Sequence, residues 1–130
     1  MKSKEILTIN DIKQLVDSFY SKVREDDLLK DVFNSVIEER WPEHLEKLYR
    51  FWQTILLGEQ TYFGSPFLPH ANLPITGKHF ERWLKLFYEN IDEQFTGEKA
   101  QQAKWRADKM AQMFQSKIEY YRNNSGSPLM

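Results

Sequence analysis

Cysteine is absent from this sequence of 130 residues, and its absence removes several classes of chemistry. Disulfide bonds, thiolate nucleophiles, iron–sulfur clusters and zinc sites built on thiolates are all excluded. Long apolar runs are also absent: the longest, near Ile55, has three residues, whereas a membrane-spanning helix needs about 18. The first residues are charged and carry no apolar signal region, so we expect a cytoplasmic protein and not an exported one.

An excess of charge of one sign is lacking as well. The 18 basic and 19 acidic residues give a net charge of -1, which provides no electrostatic footprint for nucleic acid or for an anionic membrane surface. We therefore expect neither partner. The length predicts a single domain over residues 1–122, followed by a polar tail at 123–130. Balanced charge and the lack of a second apolar face predict a monomer.

Aromatic residues, by contrast, are abundant at 15% of the chain. Apolar residues recur at helical spacing in five segments, which predict helices over residues 10–24, 27–33, 41–58, 76–95 and from 98 to near 121. The first begins at an Asn10-Asp11 cap and the third at Trp41-Pro42, and residues 34–40 are predicted to connect two helices. No strand pattern occurs, so the predicted fold class is all-α.

Three histidines are the candidate ligands of a metal or cofactor: His44, His70 and His79. No two of them have the i, i+4 spacing of a helical zinc site, so the sequence gives little support to a zinc trio. The serines lie outside any nucleophile-elbow pattern, and no glycine-rich phosphate loop is present. Hydrolytic and nucleotide-dependent chemistry are therefore not indicated.

His70 is presented differently from the other two histidines. It lies between Pro69 and Pro74, and proline excludes it from the interior of a long helix, so its imidazole projects from a rigid corner. Its apolar neighbours are leucines, whereas His79 is flanked by charged residues at a helix start. The helix that follows carries an aromatic stripe. An imidazole beside flat rings suits a flat, iron-centred ligand, and His70 is the better candidate for a haem ligand.

Polar groups on the opposite side of such a ligand would interact with a bound gas. His44 lies on the inner face of the third predicted helix, and Tyr20 lies on the inner face of the first. Trp83 offers an indole N–H, which can only donate a hydrogen bond. The alternative for each is a core residue with a satisfied polar group, and an aromatic core would explain the composition equally well.

A collinear set of residues between Phe19 and Phe87 carries a resemblance that covers roughly residues 9–120. It consists of Phe19-Tyr20, Phe33, Trp41-x-x-His44, Phe51-Trp52, Leu56-Leu57-Gly58, Tyr62-x-Gly64-x-Pro66, Pro69-His70, Leu73-Pro74 and Trp83-Leu84-x-Leu86-Phe87. The set as a whole, and no single motif within it, resembles the truncated haemoglobins. The most similar pattern is that of their third group, found in bacteria.

The resemblance implies a shortened globin, a two-over-two helical sandwich around haem b. It implies that His70 is the proximal iron ligand and that Tyr20, His44 and Trp83 are the distal residues that stabilise a ligand. The residues that would line or adjoin the haem are Phe19, Phe33, Leu48, Phe51, Trp52, Tyr62, Phe63, Leu73, Phe80 and Met110.

Three functions compete at this point. The main hypothesis is binding of O₂, and of other diatomic ligands such as NO and CO, with hydrogen bonds from Tyr20 and Trp83 that slow release and disfavour simple oxygen transport. The second is an enzyme, either a nitric oxide dioxygenase or a peroxidase-like protein turning over peroxide. Its electrons would come from a separate reductase, because the chain has no flavin or nicotinamide domain. The third is a haem-free helical module that binds a partner helix.

Overall fold

A computed structural model of the protein describes residues 4–62 and 75–123, with side chains up to Tyr120. These ranges contain five α-helices and one short 3-10 helix, η1. In chain order the elements are α1 (Ile9–Glu25), α2 (Lys30–Ile37), η1 (Glu38–Arg40), α3 (Trp41–Leu57), α4 (Gly77–Gln94) and α5 (Glu98–Asn123). Within the same ranges the β-type pairing is one isolated bridge between Lys4 and Phe95.

The helices form two packed pairs. Helix α1 packs on α3, α4 packs on α5, and α1 also contacts α4, so that the two pairs share one core. The small side chains of Ala100, Ala103 and Ala107 are fully buried on α5, which allows that helix to approach α4 closely. This arrangement is the all-α, two-over-two sandwich that was expected, and the predicted inner stripe of α1 is buried along its whole length.

The start of α1 differs from the prediction. The N-cap is Thr8, not Asn10 or Asp11. Asp11 instead occupies the third helical position and completes a capping box, in which the Thr8 hydroxyl accepts the Asp11 N–H and the Asp11 carboxylate accepts the Thr8 N–H. Asp11 thus stabilises the helix start from inside the first turn.

The second helix was predicted wrongly. It covers Lys30–Ile37 instead of residues 27–33, and the predicted connection at 34–40 is helical. The physical reason is Asp26, whose carboxylate accepts the N–H groups of Leu28 at 3.0 Å and Leu29 at 3.1 Å and so holds a turn where helix was expected. Ile37 is buried and extends the apolar side of the helix beyond the predicted end.

The other predicted boundaries are confirmed to within a residue or two. Helix α3 begins at Trp41 with proline in its first turn and is followed by Gly58 in the left-handed conformation, at φ 71°. Helix α4 starts directly after its N-cap Thr76, and α5 follows Gly97. No helix in the two described ranges is both long enough and apolar enough to cross a membrane.

Candidate functional site

Aromatic rings from α1, α2, α3, α4 and the segment just after α3 form one continuous path in and beside the larger core. Each ring centroid lies between 4.7 and 6.1 Å from at least one other. We call this set the aromatic network; its members are Phe19, Tyr20, Phe33, Trp41, His44, Phe51, Trp52, Tyr62, Trp83 and Phe87. It joins five of the ten predicted pocket residues and all three predicted distal residues.

A stacked column of three rings lies at the centre of the aromatic network. The rings of Trp83 and Phe87 are 5.3 Å apart and inclined by 8°, and Trp52 stacks on the other side of Phe87 at 5.3 Å and 23°. Phe19 meets both Trp83 and Phe87 edge to face. Because these geometries are favourable for aromatic pairs, the column holds Trp83 in a defined orientation.

Tyr20 is the buried polar group of the site. Only 6% of the residue is exposed, and the Trp83 indole lies near its hydroxyl. Because an indole N–H can only donate, a hydrogen bond between the two side chains would have the Tyr20 oxygen as its acceptor and would leave the hydroxyl proton able to donate to a third group. Burial raises the pKa of Tyr20 to about 12, although the nearby Trp83 indole acts in the opposite direction. Tyr20 is therefore a neutral hydroxyl over the physiological pH range.

His44 completes a group of three polar aromatic side chains. Its imidazole is half-buried on α3, with its centroid 6.1 Å from the Tyr20 ring and perpendicular to it. The structure thus brings Tyr20, His44 and Trp83 together from three different helices. They present a hydroxyl, an imidazole and an indole within an otherwise apolar region.

The predicted pocket residues divide into three sets. Phe19, Phe51 and Trp52 are buried in the larger core, and Phe33, Leu48, Tyr62 and Met110 are half-buried against it. Phe80 lies in a second, smaller core with Ile75 and the α5 residues Ala111, Phe114 and Ile118. His70, Phe63 and Leu73 lie outside the described residues, so their roles remain predictions.

His79 has a local structural role at the start of α4. Its Nδ1 accepts the backbone N–H of Thr76 at 3.0 Å, as the third-position partner in a capping box. The sequence-based view of His79 as a helix-start residue is thereby confirmed. Within the described ranges, no cluster of three or more His, Asp or Glu side chains is arranged to hold a metal ion.

Two features of the site were not foreseen from the sequence. Trp41 is buried beside Tyr20 and His44, and the Trp-Pro signal had indicated only a helix start. After α3 the chain also folds back on that helix, because the Thr54 hydroxyl accepts the N–H groups of Thr61 and Tyr62 at 3.1 and 3.0 Å. This contact places the Tyr62 ring 5.4 Å from Phe51.

Two helical pairs around an aromatic core, with a polar group facing one side of it, define a protein of the globin class. The sequence model of the family described as bacterial-like globin matches residues 6–119. The chain is 37% identical over 121 residues to a protein from Campylobacter jejuni named Group 3 truncated hemoglobin ctb, and the match covers 90% of this chain and 95% of that one.

The crystal structure of a group III truncated hemoglobin from Campylobacter jejuni has the same fold, with a TM-score of 0.81 and 36% identity. That comparison covers 90% of this chain and 95% of the other. The chain belongs to the bacterial-like globins and, within them, to the group III truncated haemoglobins. The resemblance read from the collinear residues is confirmed.

Membership of this family establishes a globin role, in which haem is bound and binds a small gaseous ligand such as O₂. It also sets aside the haem-free interaction module. The described residues fit this cofactor. Large, flat or flexible apolar side chains are left half-buried on α2, α3, α4 and α5, as an apolar macrocycle requires. Beside them, Tyr20 carries a buried hydroxyl close to the Trp83 indole.

Proposed function

We propose that this protein binds O₂, and also NO and CO, at haem b held by His70, with Tyr20, His44 and Trp83 on the ligand side. The observation that carries the proposal is the Tyr20 hydroxyl, which is buried, neutral and close to the Trp83 indole. An apolar core has no need of such a group, whereas a ligand that acquires partial negative charge does. The position of Tyr20 next to His44 also supports the proposal.

The iron of haem b, when bound, supplies the binding of the diatomic ligand. Tyr20 donates a hydrogen bond to that ligand, and such a bond to a charge-bearing acceptor contributes about 1.5–3 kcal/mol, or roughly 10- to 150-fold in affinity. Trp83 donates its N–H to the Tyr20 oxygen and so orients the hydroxyl. The surrounding aromatic rings exclude water, which would otherwise compete for the same hydroxyl.

The experiment that tests the proposal compares two histidines. His70→Ala is expected to lose stable haem binding, because it removes the proposed iron ligand, whereas His79→Ala is expected to retain it. Haemin titration followed by the Soret absorption band measures both. His79 is the matched control because its ring accepts the N–H of Thr76 in its own helix cap. If His70→Ala retains haem and His79→Ala loses it, the iron ligand is His79 and the proposed assignment to His70 is wrong.

A second candidate function is supported by the contact between Tyr20 and His44. The rings of Tyr20 and His44 lie 6.1 Å apart in an apolar environment, and both side chains can donate a proton. That arrangement suits a peroxidase-like reaction, in which peroxide is protonated, or the oxidation of NO. Such an enzyme would receive its electrons from a separate reductase. NO consumption under O₂ with an added flavin reductase tests this function. His44→Leu should reduce the turnover even at saturating O₂, where a loss of O₂ affinity has no effect.

A further inference from the structure

Trp41 is a buried residue of the aromatic network for which neither the family assignment nor the proposed function provides a role. It is the first residue of α3 and is 6% exposed. Its indole N–H donates to the Asn34 side-chain oxygen on α2 at 3.3 Å. The guanidinium of Arg24, at the end of α1, lies 4.5 Å above its ring. Trp41 is thus held in place by contacts to two other helices.

The remaining surface of the Trp41 ring contacts two of the proposed ligand-stabilising groups. Its centroid lies 5.8 Å from that of His44, nearly perpendicular at 88°, and 6.1 Å from that of Tyr20. Tyr20 and His44 are themselves 6.1 Å apart. The centroids of the three rings therefore form a triangle with nearly equal sides. Within it, Trp41 is the ring that Asn34 holds by a hydrogen bond and Arg24 by a cation–π contact.

We propose that Trp41 is a positioning residue that holds the Tyr20 and His44 side chains at their angles toward the ligand. The inference rests on the proposed function, since it assigns those two residues to a bound ligand. Rotation of the His44 ring would lose its edge-to-face contact with Trp41, and rotation of the Tyr20 ring would lose a tilted contact with Trp41. Contacts between aromatic rings contribute to stability beyond the burial of area. Trp41 itself does not touch the ligand.

The test uses the haem-loaded full-length protein in its ferrous form saturated with CO. The C–O stretching band, measured by infrared spectroscopy, reports the hydrogen-bond donors near the ligand, and Tyr20→Phe provides the band position for loss of the hydroxyl. Trp41→Leu is expected to broaden or split the band, with intensity moving toward the Tyr20→Phe position. O₂ release should become about three- to tenfold faster, which corresponds to loss of one aromatic contact.

Two milder variants and one control accompany Trp41→Leu. Trp41→Phe keeps a ring but loses the N–H, and Asn34→Ala removes only the acceptor, so both should give smaller band shifts in the same direction. Trp105→Leu is the matched control. Trp105 is also a tryptophan beneath a cation, Lys109, at 5.8 Å, but it is 57% exposed on α5, and its replacement should leave the band unchanged.

The outcomes separate this inference from the proposed function. If Trp41→Leu lowers the melting temperature but leaves the C–O band at the wild-type position and width, Trp41 is only a packing residue and the inference is overturned. If Trp41→Leu does not take up haem, unchanged bands in both Trp41→Phe and Asn34→Ala overturn it. If the wild-type protein binds no CO, or if Tyr20→Phe does not move the band, the proposed function fails instead.

Discussion

The Tyr20 hydroxyl makes the stability of the fold sensitive to alkaline pH. Its folded-state pKa of about 12 lies above the ordinary value of 10.0, so the folded state binds the proton more tightly than the unfolded chain does. This contribution is fully present below about pH 10 and is lost as the pH rises toward 12. A shift of this size corresponds to roughly 2–3 kcal/mol.

Removal of that hydroxyl should flatten the alkaline limb of the stability curve. Between about pH 9 and 11.5, we expect the unfolding free energy of the wild type to fall further than that of Tyr20→Phe. Urea unfolding at several pH values measures it. Tyr120→Phe is the matched control, because Tyr120 is 50% exposed on α5. A parallel pair of curves for Tyr20→Phe and wild type would contradict the burial of the hydroxyl.

Trp83 and Tyr20 should act as one unit on ligand release. Because the role proposed for the indole is to orient the hydroxyl and not to contact the ligand, Trp83→Phe is expected to speed O₂ release less than Tyr20→Phe does. The double variant should release O₂ no faster than Tyr20→Phe alone. Stopped-flow displacement of O₂ by CO measures all four proteins. Additive effects would show that Trp83 donates to the ligand directly, as the sequence alone had indicated.

At the level of the helices, the junction between α2 and η1 stores backbone strain. Glu38 has φ 54° and ψ -119°, and it is the non-glycine residue with positive φ in the described part of the chain. This region of backbone conformation suits glycine. The junction turns the chain from α2 into α3 and so places Trp41 against α1.

Glycine at position 38 should relieve this strain. We expect Glu38→Gly to raise the free energy of unfolding by about 1 kcal/mol, because the native backbone angles become allowed. The midpoint of urea unfolding measures the change. Glu39→Gly, one residue further along η1, is the control and should be destabilising, since the same substitution there only adds freedom to the unfolded chain. Equal losses for the two variants would show that Glu38 is unstrained.

Polar side chains between helices fix how α1 and α4 meet. Asn90 is fully buried, and its amide donates to the Leu15 carbonyl at 3.2 Å. The Gln94 amide donates to the Asn90 side chain and to the Ser18 hydroxyl, each at 2.9 Å. Buried polar groups of this kind are costly unless satisfied. They therefore favour one alignment of the two helices, the one that sets Trp83 against Tyr20.

For the whole molecule, the candidate site and the larger core are largely the same set of residues. Phe19, Tyr20, Trp41, Trp52 and Phe87 all belong to that core. A substitution that alters ligand chemistry will therefore also alter stability. Activity and melting temperature should accordingly be measured together for each variant.

The state of association is a second property of the whole molecule. Contrary to the sequence-based view that no second apolar face exists, α5 leaves Trp105, Met113 and Tyr120 exposed at 57%, 44% and 50%. Three side chains on one helix face fall short of the roughly 800 Å² per partner that a stable interface buries. We still propose a monomer.

Sedimentation equilibrium of the haem-loaded protein tests this. A single species near 15.6 kDa, plus the mass of the haem, is expected at micromolar concentrations. A concentration-dependent dimer that Trp105→Glu abolishes would contradict the monomer and identify the α5 face as the interface. A dimer unaffected by that substitution would place the interface elsewhere.

The helix faces and helix ends that could be predicted from the sequence depend on interactions between residues close together in the chain. The periodicity of Phe19 and Phe87 identified buried faces, and proline at position 42 and glycine at position 58 marked the ends of α3, because burial and backbone conformation act within a few residues. The bounds of α2 were predicted wrongly, because Leu28 and Leu29 lie in a turn, held by the Asp26 carboxylate, that leads into the helix.

The sequence by itself determined the all-α class and the faces that are buried, and it indicated candidates for interaction with a haem ligand. Only the tertiary structure decided that the Trp83 indole lies near the Tyr20 hydroxyl and that Trp41 packs against both Tyr20 and His44. These residues lie on different helices, and their contacts depend on how the helices cross. Helix crossing results from the packing of whole surfaces, which no short pattern along the chain encodes.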